Sequence, residues 1–184
     1  MSLLCLLAEQ PALMHMSTYH WPMAGGYSRS ERAALCNLLL ELGPDAPTLC
    51  EGWTTRDLAA HLVVRESRPD AGLGLVIPAF ASWTSKVQDQ AAAKSWPDLV
   101  SAVRHGPPRW SPAAIPAVDE AMNTIEYFVH HEDVRRAQPE WGVRTLDAGF
   151  TADLWSRLPM FGKLLTRSCP VGIVISPTDG PAAG

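Results

Sequence analysis

The sequence lacks the features that mark several common protein classes. No stretch of its 184 residues approaches the roughly 18 consecutive apolar residues that a membrane-spanning helix needs, so no membrane role is expected. Positive charge is not in excess, since 15 Lys and Arg stand against 19 Asp and Glu for a net charge of -4. Such a chain has no broad positive field to hold a phosphate backbone, which argues against nucleic acid as a partner. Cysteine is sparse, at Cys5, Cys36, Cys50 and Cys169, and no two form a CxxC pair. This spacing suits neither a disulfide framework nor a thiolate zinc knot, and it fits a reducing cytoplasm. Residues 1–27 hold no Lys or Arg, make a poor signal peptide and are expected to form a poorly structured leader.

What remains is globular in composition, with 47% hydrophobic and 18% charged residues. A chain of this length buries roughly 70% of its unfolded surface, enough for a sizeable core. Helical signals dominate from Ser28 onward. Ser28 and Glu31 have capping-box spacing before Leu35, Leu38, Leu39 and Leu42, and Gly43-Pro44 closes that helix. Thr54 and Asp57 repeat the signal before Leu58, His61, Leu62 and Arg65. A third helix is expected from Phe80 to Ala93 and a fourth from Ser95-Trp96-Pro97 through Val103, stopped by Gly106-Pro107-Pro108. The longest uninterrupted pattern runs from Val118 to Ala137, and a last helix from about Thr151 to Arg167 contains Pro159. Val171–Ser176 reads as a single strand, so residues 169–184 are expected to begin a β region that the chain does not complete. The fold class is therefore all-α, a helical bundle over residues 28–168 with extra short helices and one C-terminal strand.

The chemistry concentrates in the longest helix. Glu126 and His130 are four apart, which puts them on one face about 6 Å apart at Cβ, on a line with Met122 and Val134. A carboxylate buried among apolar residues needs a partner or a cation, and Glu-xxx-His on one face can place both groups on one metal ion. His61, beside Leu58 and Leu62 on the inward face of the second helix, is the natural third ligand. Two His and one Glu suit a catalytic zinc shell and equally the facial triad of non-haem Fe(II), so the ligand set leaves the metal open. The alternative is a pair on a solvated helix face. His131 points about 100° further round and is assigned to the surface or to a supporting role. Asp57 reads as a helix cap before a partner for His61, and Asp133 as either a partner for an imidazole N–H or an exposed acid beside Arg136. Cys36 and Cys50 read as small apolar residues.

The segment Gly52-Trp53-Thr54-Thr55-Arg56-Asp57-Leu58-Ala59-Ala60-His61-Leu62 and the segment from Glu126 through His130 to Arg135 together resemble the DinB-like metal-binding superfamily. More narrowly they are similar to the N-terminal domain of mycothiol-dependent maleylpyruvate isomerases and their actinobacterial relatives, over about Ser28 to Arg167. The resemblance implies a four-helix bundle holding a divalent metal, usually Zn2+, on His61, Glu126 and His130. It further implies mycothiol as a cosubstrate, partners that are a small thiol and a small-molecule electrophile, and thiol-dependent isomerisation or S-transfer. Arg109, in the proline-rich loop after Gly106, is then a candidate clamp for a substrate carboxylate, with a surface ion pair as the equal alternative. A non-catalytic metal-binding sensor or interaction module is the rival reading, and both a monomer and a homodimer stay open.

Overall fold

The computed structural model describes residues 26–68, 70 and 81–166, and every regular element among them is helical. In chain order these are α1 (Gly26–Leu42), α2 (Thr55–Ser67), α3 (Ala81–Ala92), α4 (Trp96–His105), a 3-10 turn at Pro112–Ala114, α5 (Pro116–Arg136) and α6 (Ala148–Thr166). The all-α expectation holds. Extended pairing among the described residues is limited to an isolated bridge between Pro47 and Thr54. None of the described helices is long and apolar enough to cross a membrane. Residues 1–25 of the expected leader and the expected strand Val171–Ser176 lie outside the described residues.

Two compact units can be distinguished, Met23–Trp141, which contains α1 to α5, and a second to which α6 belongs. Within the first unit, α1 packs along α5 and against α4, while α2 packs on α3 and α4. The core is the meeting of the expected apolar stripes: Leu35 and Leu39 of α1, Leu58 and Leu62 of α2, Leu99 and Val103 of α4, and Val134 of α5. Each of these leucines is fully buried and contributes about 1.5 to 3 kcal/mol relative to exposure. In α6, Asp147 accepts the Phe150 N–H at the start, Arg157 pairs with Asp153 at 2.8 Å, and the helix continues through Pro159.

The start of α1 departs from its local signal. The helix begins at Gly26, two residues before Ser28, so Gly26 and Tyr27 of the expected leader are already helical. Ser28 does not bond Glu31 in a capping box: its hydroxyl donates to Asp119 at 2.6 Å, and Glu31 pairs with His131 at 2.9 Å. The first N–H groups of the helix, on Tyr27 and Ser28, donate instead to the Glu120 carboxylate of α5, at 2.9 and 3.2 Å. A cap supplied by a neighbouring helix satisfies the same orphan donors as a local one. Gly26, at φ +77°, allows this approach, because a Cβ there would collide with Glu120 Oε2. The cap of α2, by contrast, matches its sequence signal, with the Asp57 carboxylate accepting from both the N–H (2.9 Å) and the hydroxyl (2.7 Å) of Thr54.

Candidate metal centre

His61 comes from the middle of α2, and Glu126 and His130 from consecutive turns of α5. Glu126 Oε1 lies 3.4 Å from His61 Nε2 and 3.3 Å from His130 Nε2, and the two rings stand edge to face at 5.4 Å. The three residues offer ligand atoms within 4.8 Å of one another. Donors about 2.0 to 2.1 Å from one tetrahedral ion stand about 3.3 Å apart, so these separations match a zinc-type shell. The donor set, two imidazole nitrogens and one carboxylate, is likewise what such an ion takes. The residues present therefore fit a divalent metal.

The surroundings are only half closed. The side chains of His61, Glu126 and His130 are 19, 22 and 14% exposed, and Met122, expected to extend the apolar stripe, is 49% exposed. That expectation is corrected: Val134 closes one end of the line in the core, and the Met122 end opens to solvent. Trp53 lies against His61 with ring centroids 5.1 Å apart, covering one edge of the site. Arg65, one turn beyond His61, approaches Glu126 Oε1 at 3.1 Å.

Electrostatics hold Glu126 as a carboxylate. Burial works against its charge, but contacts with His130 and His61 and the nearby Arg65 guanidinium outweigh burial and keep its pKa well below the usual carboxylate range. Burial equally opposes a charged His130, and its contacts with Asp133, Cys50 and Glu126 reverse that, raising its pKa well above the usual value.

Asp133 is buried, and its carboxylate lies 3.0 Å from His130 Nδ1, so it takes the first of the two roles open to it in sequence, fixing the ring through the nitrogen that faces away from Glu126. Arg136 pairs instead with Glu132. Cys50 is not a mere apolar filler: its thiol lies 3.4 Å from Asp133 and 4.0 Å from His130 Nδ1, and Cys50, His130 and Asp133 form a second group of metal-ligating types sharing His130. The turn carrying Cys50 is pinned to α5 by the Leu49 N–H, which donates to the Asp133 carbonyl at 3.2 Å. No helical period reaches a turn residue, so nothing in the pattern pointed to Cys50. From sequence Arg65 carried no site role, although its place four residues after His61 on the same face could have pointed to it.

Two further candidates lie elsewhere. His131 is buried against Glu31 and not at the surface, away from the cluster around Glu126. Arg109 lines a separate cavity with Asp119, seven residues and ~10 Å of helix before Glu126, and is not among the residues brought together at the candidate metal centre. Neither a family model nor a curated protein nor a solved structure matches the chain.

Proposed function

We propose that the protein binds a divalent metal, Zn2+ in the first instance, through His61, Glu126 and His130, and that the site serves thiol-dependent chemistry. The observation that carries the reading is the placing of two imidazole nitrogens around one carboxylate oxygen at 3.3 and 3.4 Å, on two helices, at a half-open rim. A bound ion would supply Lewis acidity and keep a sulfur ligand deprotonated. The chain's own residues supply the rest. Asp133 would hold His130 in one tautomer and orientation, Trp53 would shield His61 on one side, and Arg65 would steady Glu126. The open Met122 side leaves room for a ligand that is not protein.

The DinB-like motifs support a finer reading, in which the thiol is mycothiol, the setting is the cytoplasm, and the reaction is isomerisation or S-transfer on a small electrophile. The Arg65–Glu126 pair, which already balances the carboxylate charge, favours the rival reading of a non-catalytic metal-binding module. Elemental analysis of untagged protein tests the metal. About one equivalent is expected in the wild type and in His131→Ala, and none in His61→Ala, Glu126→Ala or His130→Ala; equal content in wild type and the Glu126 variant overturns the assignment. A thiol that binds the metal-loaded protein with proton release, and not the stripped protein, supports the catalytic reading. Loss of helicity on chelation supports the module.

A further inference from the structure

The loop after α4 builds a second cavity of about 390 Å3, independent of the candidate metal centre. Four arginines line it: Arg29 and Arg32 from successive turns of α1, Arg104 from the end of α4, and Arg109 from the loop. Its one lining acid among the described residues is Asp119, which is already engaged by Arg32 at 2.8 Å, by the Ser28 hydroxyl and by Asn123. Arg32 is likewise committed, to Glu66 and Asp119. The remaining three guanidiniums are a different matter. Among the described residues Arg104 meets only a neutral partner, Asn37, at 2.8 Å, and Arg29 and Arg109 are exposed and make no ion pair. A chain of net charge -4 thus gathers, among its described residues, uncompensated positive charge around one concavity.

The wall that carries Arg109 is stiff. Gly106 turns at φ +74° directly over Arg32, where a Cβ would lie 3.0 Å from Nη1, and Pro107 and Pro108 follow. Prolines fix φ, so Arg109 is presented from a backbone with few alternatives, and less order is lost when a ligand is held. Guanidiniums recognise carboxylate and phosphoryl oxygens in paired, charge-assisted hydrogen bonds. A concavity of this volume suits a small molecule, not an extended polyanion.

We infer that Arg29, Arg104 and Arg109 form a binding site for a small multivalent oxyanion, a phosphate ester or a polycarboxylate. The site stands apart from the metal reading. The test is calorimetric titration of the full chain at low ionic strength with glycerol 3-phosphate and, separately, tricarballylate, with acetate as a monoanion control. Saturable binding of at least one multivalent probe is expected, the stronger arm naming the source of the oxyanion. Arg29→Ala and Arg109→Ala should each weaken it about tenfold or more, as loss of one charged hydrogen-bonding partner does. Both side chains are exposed, so neither change threatens folding. Lys86→Ala, an exposed cation on α3, should leave it unchanged. No binding of either probe, equal affinity for acetate, or unaltered affinity in both arginine variants overturns the proposal.

Discussion

Two polar clusters lie side by side where α2 meets α5, with Glu66 and Tyr127 directly following Arg65 and Glu126 in sequence and Asn123 accepting from Arg65, yet they are built on opposite principles. Around Arg32 everything is closed. Its guanidinium meets both oxygens of Glu66 at 2.6 and 2.8 Å, Asp119 at 2.8 Å and the Tyr127 hydroxyl at 2.7 Å, while Tyr127 and Asn123 each donate to Glu66 at 3.0 Å. All five side chains belong to buried residues. Burial works against the Arg32 charge, and its partners outweigh burial to raise the pKa above the ordinary value. Around Glu126 the contacts are longer, all three fall on Oε1, and the residues are partly exposed. The first cluster is closed and tightly bonded, with Asn123 also accepting from Arg65, and the second is looser and more open. Saturation around Arg32 is the mark of a structural network, whereas the longer contacts and partial exposure around Glu126 suit the proposed metal site.

The sharpest way to break this comparison is Arg32→Met. It would strand Glu66 and Asp119, two buried carboxylates, without their cation, and removal of one partner from a buried pair costs about 3 to 5 kcal/mol. Urea or thermal unfolding should show that loss, whereas Glu126→Gln should cost far less stability while removing the metal. An Arg32 variant as stable as wild type would show that the closed cluster is not structural.

Next in size is an effect of the core itself. Burial pushes the Cys36 thiol up to about 11 from an ordinary value near 9, with Arg104 and Arg32 opposing it weakly. Folding therefore favours the protonated thiol. That stability is complete below pH 9 and is lost as pH rises toward 11, about 2 to 3 kcal/mol in all. Cys36→Ala should flatten this alkaline decline. An identical pH profile in the variant would assign the decline to other groups.

At the open cluster, Asp133→Ala should weaken metal binding about 10- to 100-fold by freeing the His130 ring, with Asp133→Asn partly restoring it. Competition with a chromophoric chelator reads the affinity directly. No change in either variant would reduce Asp133 to a buried hydrogen-bond acceptor.

Legibility in the sequence followed the range of the interaction. Helices α1 to α5 and the Glu126–His130 pair rest on spacings of three and four residues, and those are written in one segment. His61 was reachable because it shares a face with Leu58 and Leu62. The Arg32 network was not, although Asp119, Asn123 and Tyr127 are spaced four apart, because a polar stripe reads as a solvated face until its partner helix is known. The same blindness explains Ser28, Glu31 and His131, whose partners lie 91 to 100 residues away in sequence. Cys50 was missed because a turn has no period.

The smallest expected effect separates the two things Asp57 could do. It lies four residues before His61, a spacing from which it could steady that ring, yet its carboxylate is taken up by the N–H and hydroxyl of Thr54. Loss of such a cap costs about 1 kcal/mol, which lowers Tm by about 2 to 4 °C in a chain of this size. Asp57→Ala should show that decrease with metal affinity unchanged, because His61 keeps its contacts with Trp53 and Glu126. A fall in affinity of the size expected for Asp133 would mean that both ligand-bearing helices support the site through carboxylates, and the open cluster would then reach down α2 to its cap.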